Sequence, residues 1–174
     1  EKNSMKQINK HIFVFGIFAV DISFYVDKKV IPGETIIAKS SNIGPGGKAS
    51  NQAISARKLG ASTTLITRLG NDNFNSYAND IWRREKLFAS TKIDKNLPTG
   101  MAGIFIDDKT GENSVIVDPG ASAHLSIHDF YSQKSKMKKG DIFLTQFEQS
   151  SDTTFAVLKE AKELGMITIF NPCL

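Results

Sequence analysis

Short apolar runs alternate with stretches of helical periodicity along almost the whole chain, and no other feature limits its fold as strongly. Residues 12–16 (IFVFG), 63–68 (TTLITR), 141–145 (DIFLT) and 166–170 (MITIF) have the length and apolar content of buried strands. Between them lie amphipathic segments. Residues 49–59 place Ala53, Ala56 and Leu59 on one face, with Gly60 as a stop, and residues 73–86 space Phe74, Tyr77, Ala78, Ile81 and Trp82 as a helix would. Residues 127–137 and 153–164 read as two more helices, the second ended by Gly165. This order predicts an α/β sandwich around a mostly parallel central sheet.

Four segments do not suit that core. Residues 21–26 (DISFYV), 35–43 (TIIAKSSNI), 100–107 and 113–118 have polar faces, with turns at 31–34 (IPGE) and 108–111 (DKTG). They are expected to pair as a small second sheet that projects from the core and covers a site at the strand ends, where open α/β sheets bind ligands. Asn171, Pro172, Cys173 and Leu174 follow directly on the last buried strand, with no helix to cover it. The expectation is a larger fold truncated on its C-terminal side, with Cys173 packed beside that strand as a core cysteine.

Composition narrows the function classes. The 174 residues, 40% hydrophobic and 23% charged, are enough for one globular domain. The net charge of +4 is spread along the chain apart from a run at Lys134, Lys136, Lys138 and Lys139. That run is expected to be a solvated helix end, because no arginine-rich or RNA-reading motif accompanies it; nucleic acid is not an expected partner. No apolar run approaches the ~20 residues of a membrane span, and residues 1–10 are polar, without the apolar stretch of a signal peptide. A single cysteine excludes an internal disulfide and fits a reducing compartment, so a cytoplasmic protein is expected.

The strongest local signal is GPGGKASNQ at residues 44–52, between a strand and a helix. It is not a Walker A loop, since Gly47–Lys48 is followed by Ala49 and Asn42 stands where that motif needs glycine. Gly44, Gly46 and Ala49 satisfy a variant dinucleotide fingerprint, but the loop follows two extended segments rather than the first strand, and Asp72 is the only acid near the expected spacing. A third reading is a polar-ligand loop. Gly46 and Gly47 remove side-chain bulk, the first N–H groups of the helix point outward, and Lys48 and Asn51 lie one turn apart. From these residues alone that reading stays open against a plain glycine turn with an exposed lysine. His124 and His128 are four apart on an expected helix but have no third ligand, so no metal site is expected.

Taken in order, Gly16…Asp21, PGE at 32–34, GGKASNQA at 46–53, LGA at 59–61, GND at 70–72, TG at 99–100, PGAS at 119–122, Gln146–Glu148 and NP at 171–172 resemble the ribokinase-like, PfkB-type family of carbohydrate kinases. The resemblance runs from Ile12 to Leu174. It implies a three-layer α/β/α sandwich in which residues 11–174 form the N-terminal portion of the kinase domain, with lid strands at about 21–43 and 100–118. It also implies a sugar site made by Asp21, Gly46, Gly47, Lys48, Asn51 and Glu148, and a homodimer joined through the lid. The family transfers a phosphoryl group from ATP, with magnesium and a monovalent cation, to a sugar hydroxymethyl group, here of ribose or a related sugar. Its catalytic base sits in a GAGD segment well beyond the NP pair. No catalytic residue is therefore expected in this chain, and the chain alone is expected to be inactive. A non-catalytic sugar-binding or dimerising protein is the alternative. One departure stands out: Ala19 occupies the place of an asparagine that binds the sugar.

Overall fold

A computed structural model describes residues 10–173, so the polar segment at 1–10, apart from Lys10, lies outside the described residues, as does Leu174. Five parallel strands form the central sheet: β1 (His11–Phe15), β4 (Ser62–Gly70), β5 (Phe88–Asp94), β8 (Ile142–Gln146) and β9 (Ile167–Asn171), in the order β5-β4-β1-β8-β9. Side chains alternate across a strand, so each strand feeds two cores. Val14, Leu65 and Leu69 pack on one side against Ala49, Ala53 and Ile54 of α1 (Lys48–Lys58) and Ala78, Ile81 and Trp82 of α2 (Asn73–Arg84). Phe13, Phe15 and Ile66 pack on the other against Phe130 of α3 (Ile127–Tyr131) and Val157 and Ala161 of α4 (Ser151–Glu163). The expected three layers are present.

A second sheet holds β2 (Ala19–Val26), β3 (Ser40–Gly46), β6 (Thr99–Asp107) and β7 (Asn113–Gly120) in the order β3-β2-β6-β7, with β2 and β6 parallel and the outer pairs antiparallel. Only residues 16–18 separate β1 from β2, so the chain steps directly from one sheet to the other. Phe18 anchors the step. It is fully buried and meets Trp82 edge-on at 5.2 Å, and the Trp82 indole N–H donates to Ser50 Oγ at 3.2 Å. Burying two rings of this size contributes several kcal/mol in area alone, about 2–3 kcal/mol each. On the other side Arg68 of β4 and Asp129 of α3 form a buried ion pair at 2.8 Å, reinforced by Arg68 donating to Ser126 Oγ.

Several expectations are corrected. The strand expected at 35–43 runs instead over Ser40–Gly46 and includes Pro45, which β3 accommodates because it is an edge strand with an unpaired side. Strand β5 was not anticipated; its FASTKID sequence is too polar to read as buried, and it lies at the sheet edge. The helix expected at 127–137 stops at Tyr131, and a separate 3₁₀ turn covers Lys134–Lys136. Leu59 is 89% exposed rather than on the apolar face of α1, which buries Ala49, Ser50, Ala53 and Ile54. Ile167 and Ile169 of β9 are 44% and 46% exposed because that strand is the outermost described one, and Cys173 is exposed rather than in a core. No described helix is long and apolar enough to cross a membrane.

Candidate functional site

The site lies where the two sheets meet at the C-terminal ends of β1 and β8. Three glycines allow the backbones to converge there. At Gly16 an added Cβ would lie 2.4 Å from Gln146 Oε1 and 2.7 Å from the Ala49 methyl. At Gly47 the backbone has a φ of +82°, and a Cβ would strike the Ile17 carbonyl at 2.5 Å and Phe18 Cα at 2.8 Å. At Gly46 a Cβ would sit 2.0–2.6 Å from the three carboxylate atoms of Asp21. Only residues without a side chain let β3 run under Asp21 and turn straight into α1.

Gly47 is the N-cap of α1, and neither a side-chain cap nor an acidic residue in the first turn serves that helix start. Glu148, in the loop between β8 and α4, supplies both functions from a distance. Its Oε2 accepts the Lys48 backbone N–H at 2.6 Å and its Oε1 accepts the Lys48 ammonium at 3.0 Å. The carboxylate thus meets the positive end of the helix and a lysine charge together. Burial, with the nearby Glu148 charge as the second cause, holds the Asp21 carboxyl above the ordinary aspartate range. Two carboxylates and one ammonium therefore converge on the glycine loop. Asn51 is exposed one turn along α1, with its backbone N–H bonded to the Gly47 carbonyl. The structure brings Asp21, Gly46, Gly47, Lys48 and Glu148 together, with Asn51 on the adjoining turn.

Three glutamines beneath this cluster were not recognised from sequence as a unit. Gln146 is fully buried and donates its amide to Gln52 Oε1. Gln149 is buried and donates to Thr145 Oγ1 at 2.9 Å, the Gln146 carbonyl at 2.7 Å and Thr154 Oγ1 at 2.9 Å. These bonds fix the turn that carries Glu148. The only sequence signal was an unusual density of amides directly after a buried strand.

Asp72 has a different task. It caps α2 by accepting from Asn75 N at 3.1 Å, and it clips β6 by accepting from Thr99 N at 2.6 Å and Thr99 Oγ1 at 2.8 Å. Burial alone would raise its pKa, but these hydrogen bonds outweigh that and hold it below the ordinary range. The dinucleotide reading is overturned. Its proposed acid is committed to this clip, and the glycine loop follows an antiparallel edge strand rather than a strand of the parallel sheet. His124 and His128 belong to different elements, a 3₁₀ turn and α3.

The family model for pfkB family carbohydrate kinases matches residues 9–174. A ribokinase of Dictyostelium discoideum is 34% identical over 157 residues, which is 90% of this chain and 49% of that protein. Among solved structures, a ribokinase from Giardia lamblia superposes with a TM-score of 0.86 at 28% identity, covering 95% of this chain and 51% of the other. A ribokinase of Arabidopsis thaliana complexed with ribose and ATP gives a TM-score of 0.74 at 26% identity, over 94% of this chain and 53% of the other. The chain thus spans about half the length of the relatives it matches.

Proposed function

The chain belongs to the pfkB family of carbohydrate kinases, and from that premise we propose that it forms the sugar-holding part of a ribokinase-type kinase acting on ribose or a related sugar. The observation that carries this reading is the Asp21–Gly46 contact beside the Lys48–Glu148 pair. Asp21 accepts hydrogen bonds from two sugar hydroxyls, which a carboxylate does more strongly than a neutral oxygen. The Gly46 and Gly47 backbone lets the sugar ring approach α1. Lys48 and Asn51 donate to ring hydroxyls, and Glu148 accepts from one while holding Lys48 in place.

The phosphoryl donor in this reading is ATP with magnesium and a monovalent cation. Among the described residues no group of three or more His, Cys, Asp or Glu side chains converges to hold a metal ion. Of the two carboxylates at the site, Glu148 is already committed to Lys48. No step is assigned to magnesium, and no residue of this chain is proposed as the catalytic base. The chain by itself is proposed to bind sugar without turning it over, in a cytoplasmic setting.

Self-association through the second sheet is also part of the proposal. Phe24 and Phe105 stack at 6.0 Å on one face, and Val115, Ile116 and Val117 of the edge strand β7 are each at least half exposed. An exposed apolar edge of this kind invites pairing with a second copy.

Calorimetric titration with D-ribose tests the binding reading, alongside Asp21→Asn and Lys48→Met variants. Saturable heat with the parent chain and much weaker binding in both variants are expected. A flat titration with the parent chain sinks the reading, and ribose-dependent ADP release by this chain would overturn its proposed inactivity.

A further inference from the structure

At the far end of the central sheet, where β1 and β4 begin, a concavity of about 710 Å³ opens between the strands and the helix ends. It lies at the N-terminal end of β1, whereas Gly16 follows that strand's C-terminal end, so it is separate from the glycine-loop site. Arg57, Lys86, Lys136 and Lys138 line it. Among the described residues none of these four cations forms an ion pair, whereas the neighbouring Lys134 and Lys58 pair with Glu160 and Glu85. One carboxylate, Asp141, lies in the wall. Both of its oxygens accept backbone N–H groups, from His11 and Lys138, and its side chain is buried. Four unpaired cations in a cleft repel one another and raise the local concentration of anions.

The cleft also has neutral donors and a flat apolar wall. Ser62 Oγ and Thr64 Oγ1 sit on either side of the His11 ring, each 2.8 Å from one of its nitrogens. Lys136 lies over the ring of Phe88, 5.1 Å from its centre, and that ring is 54% exposed. The Arg57 guanidinium is steadied by donating to the Lys86 carbonyl at 2.9 Å.

Lys86 itself is the second observation. It is the only described non-glycine residue with a positive φ, +53°, at the C′ position after α2, where its N–H closes on the Arg83 carbonyl. Glycine is the favoured residue there, and a lysine carries strain. Placing it there directs a fourth cation into the cleft.

We propose that this concavity binds a phosphate-bearing small molecule, with the four cations facing the phosphate oxygens and whichever of Ser62 and Thr64 accepts from the His11 ring N–H adding one hydroxyl donor. Its volume suits a small ligand rather than a nucleic-acid strand.

The test is calorimetric titration of the chain with inorganic tripolyphosphate, with orthophosphate and a ten-nucleotide oligothymidylate as further arms. Lys86→Gly removes a cation while relieving the left-handed strain, so the melting temperature is expected to hold or rise while affinity for tripolyphosphate falls about tenfold. Lys159→Gln, an equal charge change on the surface of α4, is expected to leave affinity unchanged. Orthophosphate is expected to compete with tripolyphosphate, weakly. Equal effects of Lys86→Gly and Lys159→Gln, no binding of tripolyphosphate, or tight binding of the oligonucleotide alone would each overturn the proposal.

Discussion

Glu148 grips Lys48 twice, through the backbone N–H at 2.6 Å and through the ammonium at 3.0 Å. One residue from the β8–α4 loop thereby starts the helix that carries the glycine loop. Replacing it separates the two roles. Glu148→Gln keeps an acceptor for the N–H but loses the charge, and is expected to weaken ribose binding by about tenfold with little change in melting temperature. Glu148→Ala removes the cap as well and is expected to cost about 1 kcal/mol of stability in denaturant titration. No stability loss in either variant would assign Glu148 to binding alone.

If Asp21 holds the sugar as proposed, binding is expected to be sensitive to acid. Burial and the Glu148 charge raise its carboxyl above the ordinary aspartate range, so the acceptor form is lost at a higher pH than for an exposed aspartate. The ribose dissociation constant is expected to rise as pH falls through that raised value. The sign for folding is opposite. A carboxyl raised in the folded state favours the fold below its unfolded pKa, and this contribution fades as pH rises through the folded value. Asp21→Asn is expected to bind weakly and to flatten the acid limb of the affinity profile. A profile that keeps its acid limb in that variant moves the titration to another group.

Gly46 tolerates no side chain, because a Cβ would lie 2.0 Å from Asp21 Oδ1. Gly46→Ala is expected to displace the Asp21 carboxylate and abolish measurable ribose binding. The chain should still fold, since β3 is an edge strand with an unpaired side to absorb a shift. Circular dichroism and calorimetry on the same sample check both halves of this statement.

The clip between Asp72 and Thr99 is structural, although both residues belong to the ordered motifs that carry the family resemblance. Asp72→Ala removes a helix cap and two contacts to β6, and is expected to cost roughly 1–2 kcal/mol. Because hydrogen bonds hold the Asp72 carboxyl below the ordinary range, its contribution is present above the unfolded pKa and fades as pH falls through the folded one. Denaturant midpoints at neutral and acid pH should therefore converge between parent and variant on acidification. Ribose affinity at neutral pH should change little.

The central sheet was legible because four of its strands are short apolar runs, and amphipathic spacing revealed α1 and α2. The edges were not. Strand β5 is polar, and β3 contains Gly44, Pro45 and Gly46, residues that read as a loop and are allowed in a strand only because one side of β3 has no partner. At the site, the glycine loop was visible as a spacing, but two of its partners were distant in sequence. Glu148 lies a hundred residues from Lys48, and the fit of Gly46 under Asp21 depends on the pairing of β2 with β3. Long-range pairing of that kind leaves no local pattern. Family resemblance supplied Asp21 and Glu148, and the buried glutamines beneath them went unrecognised as a unit.

Ala19 offers a gain-of-function test. It lies on the same strand face as Asp21, two residues before it, and pairs in register with Gly46 on one side and Gly100 on the other. Neither flanking residue has a Cβ, so an added amide at position 19 meets no side chain beside it in either neighbouring strand. Ala19 is 2% exposed, so the amide must find a polar partner, and the proposed sugar site on the Asp21 face would offer sugar hydroxyls. Ala19→Asn is expected to tighten ribose binding about tenfold while lowering the melting temperature of the free chain, because the new amide is unsatisfied until sugar arrives. The difference in melting temperature between parent and variant should shrink as ribose is added. If affinity is unchanged and the melting temperature falls equally with and without ribose, position 19 does not face the sugar, and the site must be placed further along α1 toward Asn51.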